Sequence, residues 1–144
     1  MNVNSCMSTD VRVASPTESI RDAARTMKEI DSGVLPVGEH DRLVGMITDR
    51  DIAVRAVAEG MSPETSVREV MSREVLYCYE DESLDDVARQ MRELQVRRLP
   101  VLSREKRLVG IITLGDLALM EEDARRTGEA LAGVSEPGGI HNQG

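Results

Sequence analysis

Hydrophobic and polar residues alternate with a helical period in two parts of the chain. Apolar side chains three and four positions apart predict one buried stripe on each helix, formed by Ile20, Ala23, Ala24, Met27 and Ile30 in the first and by Leu84, Val87, Ala88, Met91 and Leu94 in the second. Each helix is predicted to begin after a capping serine, Ser19 or Ser83. The aspartate three residues later, Asp22 or Asp86, suits the positive end of the helix dipole.

Short extended segments flank each predicted helix, and proline in the Leu-Pro-Val strand indicates a sheet edge or a strand start. The stretch after the polar turn is too apolar to be solvated, which predicts a hairpin strand with a buried centre. The elements in the two copies are strands at 11–14 and 75–78, Leu-Pro-Val strands at 35–37 and 99–101, hairpin strands at 43–48 and 108–113, and closing helices from Asp49 and Leu114. Both parts therefore read β-α-β-β-α.

The two parts form an internal repeat. After a shift of 64 positions Val3 falls on Val67 and the first helix falls on the second. Two copies are fewer than a solenoid needs, and they suit a pseudo-symmetric pair in which each copy covers the apolar face of the other. The expected fold class is α+β, with two β-α-β-β-α repeats packed through their sheets.

Turn residues separate the copies. Gly60 is suited to end a helix and Pro63 to begin a turn, and Ser66 with Glu69 predicts a second capping box. The last part of the chain is rich in small and turn residues and is expected to be disordered. The expected organisation is a first repeat over 3–60, a linker over 61–66, a second repeat over 67–123 and a tail over 124–144.

Composition restricts the partners. The 144 residues contain no Trp, no Phe and two Tyr, so stacking of nucleic-acid bases on aromatic side chains is not expected. The net charge of −8 argues against a basic face for nucleic acid or anionic membranes. No apolar run reaches the ~20 residues of a membrane span, and the first residues lack a signal-peptide pattern, so a cytoplasmic protein is expected.

Residues that commonly carry catalysis or bind metals are sparse. Cys6 and Cys78 lack metal-ligand spacing and are interpreted as idle thiols, and His40 and His141 as exposed side chains. Paired acids fall in the first turns of helices or on solvated faces, where acids are common. The sequence contains no Ser-His-Asp set and no P-loop, so it predicts neither an enzyme nor a metal site.

A Thr-x-x-Asp motif follows each hairpin strand, at Thr48 and Asp51 and at Thr113 and Asp116. Helix capping explains this spacing, because the hydroxyl accepts from a backbone N–H group and the acid reaches back. A helix that begins directly after a strand also offers free N–H groups to an anion, and an aspartate beside them suits neighbouring ribose hydroxyls. The motif is therefore compatible with capping and with nucleotide binding.

Together, the duplicated β-α-β-β-α unit, the Leu-Pro-Val strand and the Gly-h-h-Thr-x-x-Asp ending, where h is apolar, resemble a pair of CBS (cystathionine-β-synthase-type) domains, or Bateman module. The resemblance covers about residues 3–123. It implies two clefts between the repeats that bind adenosine-containing ligands: AMP, ADP, ATP, S-adenosylmethionine or NAD. It places ribose on the motif aspartate and phosphate near the motif threonine and basic residues. It also implies a homodimer, to which the apolar closing helix is suited.

The copies differ where the resemblance places phosphate. Adenylate-sensing members often carry a His-Arg pair where the second copy has Arg97 and Arg98, and adjacent strand residues point to opposite faces, so one arginine is expected to face a cleft. The alternative is that these arginines are solvated charges. The expected ligand residues are Arg97, Arg98, Leu99, Thr113 and Asp116 in the stronger site and Gly33, Val34, Thr48 and Asp51 in the weaker one, with Arg50 at the rim of either.

Three classes of function follow. A ligand-sensing regulatory module would bind an adenine nucleotide as a regulatory ligand, require no cofactor, and relay occupancy to an effector protein or to its own oligomer. A structural dimerisation module with non-functional clefts is the alternative, and an enzyme is the least supported class. The sequence favours the sensor, because both Thr/Asp pairs and the two adjacent arginines are present.

Overall fold

A computed structural model describes residues 1–122 of the chain, so the predicted tail at 124–144 lies outside the described residues. Helices and strands are mixed in both repeats, which confirms the α+β class. The elements are a 3-10 turn at Val3–Ser5, helix α1 (Ile20–Ile30), strands β1 (Val34–Glu39) and β2 (Arg42–Thr48), a helical turn α2 (Asp49–Asp51) continuing as a π-helix (Ile52–Val57), helix α3 (Val67–Val70), strand β3 (Cys78–Tyr79), helix α4 (Leu84–Leu94), strands β4 (Arg98–Leu102) and β5 (Leu108–Thr113), and helix α5, described over 114–122.

The chain forms two compact units that exchange short segments. The repeat-1 unit comprises Val11–Leu76 and Glu105–Leu108, and the repeat-2 unit comprises Met1–Asp10, Tyr77–Arg104 and, among the described residues, 109–122. The first ten residues therefore belong with the second repeat, and residues 67–76 belong with the first. The boundaries of the two spatial units therefore differ from the boundaries of the two sequence repeats.

A hairpin forms the sheet of the repeat-1 unit. Strands β1 and β2 pair antiparallel, with Val34 opposite Thr48 at one end and Glu39 opposite Arg42 at the other. The two turn residues, His40 and Asp41, have φ of 53° and 63°, as a type I′ turn requires. This register places the start of the Leu-Pro-Val strand beside the end of the strand that carries the Thr-x-x-Asp motif.

The core of the repeat-1 unit consists of aliphatic and methionine side chains. Three of the residues predicted for the stripe of α1 are buried, and Ile30 packs against them from a half-buried position. Ala24 is exposed and lies outside the stripe, so its prediction as a core residue was wrong. The buried cluster consists of Ala14, Ile20, Ala23, Met27, Leu35, Val37, Ile47, Ala56, Val67, Val70 and Met71.

The repeat-2 unit contains a three-stranded sheet in the order β3-β4-β5. The proline of its Leu-Pro-Val strand lies in the central strand, against the expectation of an edge or a strand start. Strand β3 pairs in parallel only with Val101 and Leu102, so this ladder begins after Pro100 and does not need its missing N–H group. On α4, Val87 and Met91 are buried as predicted.

Three other local predictions were wrong. Leu94 is 44% exposed although it was assigned to the stripe of α4. Of the strand predicted at 11–14, only Ala14 forms a bridge, with Val37, because Arg12 and Val13 are exposed. The strand predicted at 75–78 is reduced to β3, which begins at Cys78.

A Met-Ser pair completes each sheet from the far part of the sequence. Ser8 exchanges two backbone hydrogen bonds of 2.9 Å with Ile111, and Ser72 exchanges bonds of 2.9 and 2.8 Å with Met46. The pairs Met7–Ser8 and Met71–Ser72 occupy equivalent places in the repeat. Each therefore joins the hairpin strand of the other repeat, which explains why each unit contains a segment from the other repeat of the sequence.

The two long helices begin with the predicted serine caps, which provide a test of local stability. Ser19 and Ser83 each accept a 3.1 Å hydrogen bond from the N–H of Asp22 or Asp86. We expect Ser19→Ala and Ser83→Ala each to lower the free energy of unfolding by about 1 kcal/mol, because a helix N–H loses its partner. Urea unfolding followed by circular dichroism measures this change.

Ser66 supplies the matched control. Its side chain makes no capping hydrogen bond, so the capping box predicted with Glu69 is absent, and the N–H of Glu69 donates to the Ser66 carbonyl at 3.1 Å instead. Ser66→Ala is therefore expected to leave the unfolding free energy nearly unchanged. A loss at Ser66 equal to that at Ser19 would show that the capping bonds are not the cause.

Candidate ligand-binding site

Both Thr-x-x-Asp motifs form complete capping boxes. In the repeat-1 unit, Thr48 Oγ1 accepts from the N–H of Asp51 at 3.0 Å, and Asp51 Oδ2 accepts from the N–H of Thr48 at 2.9 Å. The same two bonds, at 3.0 and 2.9 Å, join Thr113 and Asp116 in the repeat-2 unit. The capping interpretation is confirmed, and it fixes each carboxylate at the first turn of a helix that follows a strand directly.

Each motif touches the residue that precedes the Leu-Pro-Val strand. The N–H of Asp49 donates to the Gly33 carbonyl at 2.9 Å, and the N–H of Leu114 donates to the Arg97 carbonyl at 2.8 Å. Val34 is paired with Thr48 in the hairpin register. Within each unit, the structure therefore brings together the two segments that the sequence selected as ligand-binding.

The predicted residues differ in accessibility. The motif threonines and aspartates are half-buried, as are Val34 and Arg98, which leaves part of each surface open to a ligand. Gly33, Arg50 and Arg97 are exposed. Leu99 is fully buried in the core of the repeat-2 unit, so its burial disfavours the predicted ligand contact.

Only one oxygen of each motif carboxylate takes part in the capping box. Oδ2 of Asp51 and Oδ2 of Asp116 hold the threonine N–H groups, and Oδ1 is a further acceptor on the same half-buried group. Arg55 approaches Oδ1 of Asp51 to 4.0 Å. The capping role thus leaves a fixed acceptor and does not exclude a role in binding hydroxyl groups.

The two sites differ in charge next to the strand start. A side chain at position 33 would meet the Asp49 carboxylate, since a Cβ there would lie 2.7 Å from Asp49 Oδ2. The equivalent positions in the repeat-2 unit are Arg97 and Leu114. The repeat-1 site therefore presents a carboxylate where the repeat-2 site has an arginine and an apolar side chain.

Cys6 is a neighbour of the repeat-2 site that sequence reasoning missed. Burial, with a smaller contribution from the Asp116 carboxylate, raises the pKa of the Cys6 thiol. Burial raises the pKa of Cys78 to about 12, with smaller contributions from Glu82 and Cys6. Both thiols therefore stay protonated at neutral pH, and the half-buried Cys6 is a neutral, polarisable group.

The signal that could have located Cys6 is the repeated Met-Ser pair. Met7 and Ser8 pack on Gly110 of the motif strand, so Cys6, which precedes them, is brought to the same end of that strand. The repeat alignment shows the pair in both copies, but it does not show that each pair joins the other repeat's strand. Asp49 is predicted as the start of the closing helix, and its approach to Gly33 is a feature of the folded hairpin that this prediction does not contain.

Comparison with known proteins identifies the family. The family model for the CBS domain matches twice, at residues 3–57 and 67–121. The chain belongs to the CBS-domain family and carries two tandem copies. It is 42% identical over 134 residues to the CBS domain-containing protein YhcV of Bacillus subtilis, and the match covers 93% of this chain and 95% of that protein.

Solved structures with the same fold contain adenosyl ligands. The CBS domain pair of protein MJ0100 in complex with 5′-methylthioadenosine and S-adenosyl-L-methionine has a TM-score of 0.71 and 32% identity, covering 86% of this chain and 98% of that one. CBSX2 in complex with AMP has a TM-score of 0.74 and 26% identity, covering 87% and 98% of the two chains. These ligands were bound by those proteins.

A further solved relative carries metal. Hypoxic Response Protein I with two coordinated zinc ions has a TM-score of 0.73 and 38% identity, covering 83% of this chain and 98% of that one. Among residues 1–122 of the present chain, no group of three or more His, Cys, Asp or Glu side chains lies close enough to hold a metal ion. In the same range, no helix combines the length and apolarity needed to cross a bilayer.

Proposed function

We propose that this protein is a regulatory module that senses an adenosine-containing nucleotide and relays its presence to a partner protein or to its own homodimer. The observation that carries the proposal is the pair of half-buried motif aspartates, each fixed by a capping box beside the start of a strand. A fixed carboxylate at this place accepts hydrogen bonds from neighbouring ribose hydroxyls. The adenosyl ligands of the MJ0100 pair and of CBSX2 support the assignment.

We assign the stronger nucleotide site to the repeat-2 unit. Arg98 is half-buried at the start of β4. The carbonyl of Arg97 accepts a hydrogen bond from the N–H of Leu114. A guanidinium group near the first turn of α5 favours phosphate through charge-assisted hydrogen bonds. Asp116 then binds ribose while an arginine binds phosphate.

The repeat-1 site suits a less anionic adenosyl ligand. Its Asp49 carboxylate lies where a phosphate group would approach Gly33, and the negative charges of the carboxylate and the phosphate repel each other. Arg55 does not offset this repulsion, because it donates to the Val70 carbonyl at 3.1 Å and lies near Asp51. S-adenosylmethionine, which carries a positive sulfonium group, fits this charge better than ATP.

Recognition without catalysis is the role that these side chains support. Both motif carboxylates accept hydrogen bonds from backbone N–H groups, so one oxygen of each is occupied in holding the start of its helix. A regulatory module of this kind has two conformations. The ligand binds one of them more tightly than the other and thereby shifts their populations. Ligand binding is therefore expected to change the activity of the partner, and the nucleotide is expected to be released unaltered.

A thermal-unfolding panel tests the proposal on the wild-type chain. AMP, ADP, ATP, NAD and S-adenosylmethionine are each titrated, and at about ten times the dissociation constant a bound ligand adds about 1.4 kcal/mol to the free energy of unfolding. We expect at least one adenosyl ligand to give a saturable rise in the unfolding temperature, and guanosine nucleotides at the same concentration to give none. No response to any member of the panel would instead favour the structural dimerisation module.

A further inference from the structure

The two cysteines of the chain, Cys6 and Cys78, lie in the same compact unit. Backbone hydrogen bonds hold their segments together, because the N–H groups of Val3 and Asn4 donate to carbonyls of the turn over 80–82 at 3.0 and 2.9 Å. Cys6 directly follows the 3-10 turn that makes these bonds, and Cys78 begins the strand that leads into the turn over 80–82. Two thiols that are distant in the sequence therefore belong to two segments in direct contact.

The internal repeat assigns both cysteines to core positions. After the shift of 64 positions, Cys6 falls on Val70 and Cys78 falls on Ala14. Val70 and Ala14 are fully buried members of one hydrophobic cluster in the repeat-1 unit. The two backbone bonds described above have counterparts there, donated by the start of α3 at 2.8 and 2.9 Å. Equivalent backbone contacts therefore direct the Cys6 and Cys78 side chains toward one interior cluster of the repeat-2 unit.

The two thiols interact, and they differ in exposure. Burial, followed by Glu82 and then Cys6, raises the pKa of the Cys78 thiol to about 12. An influence of one thiol on the other requires that they lie near each other, because electrostatic interactions decline with distance. Cys78 is 1% exposed, whereas Cys6 is half-buried. A dissolved reagent can therefore reach Cys6, and Cys78 is its protected neighbour.

We propose that Cys6 and Cys78 are an oxidisable thiol pair that closes into an intramolecular disulfide and fixes the N-terminal segment to strand β3. The oxidant is a low-molecular-weight disulfide. The Cys6 thiolate attacks one of its sulfurs, forms a mixed disulfide and releases one small thiol; the Cys78 thiolate then attacks the Sγ of Cys6 and releases the second. The protein thereby loses two electrons, and its two thiol protons end on the released small thiols.

The environment of the pair determines when it closes. Burial raises the pKa of both thiols, so the thiolate that attacks a disulfide is scarce at neutral pH. The reduced pair therefore resists brief exposure to a weak oxidant and closes under sustained oxidation. The chain contains no third cysteine, so no other internal disulfide competes with this one.

The disulfide would anchor the exchanged segment of the repeat-2 unit. Met7 and Ser8 directly follow Cys6, and Ser8 exchanges two backbone hydrogen bonds of 2.9 Å with Ile111. A covalent link at Cys6 holds one end of this segment in place and opposes its local opening. Oxidation is therefore expected to slow hydrogen exchange at the Ser8 and Ile111 amides. This effect does not involve the motif aspartates, so it is independent of nucleotide binding.

Prolonged incubation of the full-length folded protein with oxidised glutathione tests the pair. Intact-mass spectrometry without reductant is expected to show a chain that has lost two hydrogen atoms, and peptide mapping is expected to show the Cys6 and Cys78 peptides joined. The unfolding temperature is expected to rise by at least about 5 °C and to return to its starting value after reduction with dithiothreitol.

The repeat supplies matched controls, since Ala14 and Val70 show which residues the same positions accept in the repeat-1 unit. Cys78→Ala is expected to retain one glutathione on Cys6, and Cys6→Val is expected to stay unmodified because Cys78 is buried. A mixed disulfide that persists on Cys6 of the wild type, or a disulfide-linked dimer as the main product, would overturn the pairing. So would an internal disulfide that lowers the unfolding temperature, because it would have formed at the expense of the native structure.

Discussion

Asp116→Asn is expected to weaken the binding of AMP and ATP by about 1.5–3 kcal/mol, a loss of roughly 10- to 150-fold in affinity. Asparagine keeps one oxygen that can accept from the N–H of Thr113, the bond that measures 2.9 Å with Asp116. It replaces the second carboxylate oxygen by an NH₂ group, which cannot accept a hydrogen bond from a ribose hydroxyl. The change therefore removes the proposed ligand contact while leaving a cap.

Isothermal titration calorimetry on Asp116→Asn and Asp51→Asn measures the effect, with unfolding curves to verify that both variants fold alike. Asp51 is the matched control, because it makes the same capping bonds in the repeat-1 unit. We expect Asp51→Asn to change AMP and ATP binding by less than about threefold, since the Asp49 carboxylate already disfavours phosphate there. Equal losses in the two variants would refute the ranking of the sites, and no loss in either would refute the role of aspartate in holding ribose.

The sequence predicts those parts of the fold that depend on local chemistry. The serine caps of α1 and α4, the helical stripes and the starts of the closing helices at Asp49 and Leu114 all follow from side chains within one or two turns of each other. Leu94 and Ala24 were misassigned because they lie at the border of a stripe, where burial depends on neighbours that the periodicity does not contain. The family resemblance then supplied the arrangement of elements.

The exchange of segments could not be predicted from periodicity. Met7–Ser8 and Met71–Ser72 look equivalent in the repeat, and a linear reading assigns each to the element beside it. Their hydrogen bonds to Ile111 and Met46 join strands about a hundred and about twenty-five residues away along the chain, respectively. Such pairing depends on tertiary contacts, which single-sequence patterns do not encode.

For the candidate site, too, the sequence indicates which segments are involved but not how each side chain is oriented. The motif residues and the segment before Leu-Pro-Val were selected from the sequence, and backbone bonds between Leu114 and Arg97 and between Asp49 and Gly33 show that they meet within each unit. The orientation of each side chain depends on its place in the sheet. For that reason the core position of Leu99 and the approach of Cys6 to Asp116 required the structure.

Gly110→Ala is expected to lower the free energy of unfolding by about 2–3 kcal/mol, because the Met-Ser segment crosses directly over this residue. An added Cβ would lie 2.6 Å from the Sδ of Met7 and 2.9 Å from the carbonyl oxygen of Ser8. Met7 can rotate away, but the Ser8 carbonyl accepts a 2.9 Å hydrogen bond from Ile111 and cannot move without weakening the pairing. The glycine of the Gly-h-h-Thr-x-x-Asp motif is thus required by the exchanged segment, and urea unfolding measures the cost.

Substitutions at Gly45 and Gly38, compared with Gly110→Ala, test the exchange of segments between the repeats. Gly45→Ala places a Cβ 2.8 Å from both the Met71 Sδ and the Ser72 carbonyl, so it should cost about as much as Gly110→Ala. Gly38, in the same hairpin, offers 3.5 Å or more to its nearest neighbours, and Gly38→Ala should change stability by less than about 0.5 kcal/mol. Equal and small costs at all three glycines would mean that the Met-Ser segments do not pack on the motif strands, and the exchange of segments between the two repeats would then be excluded.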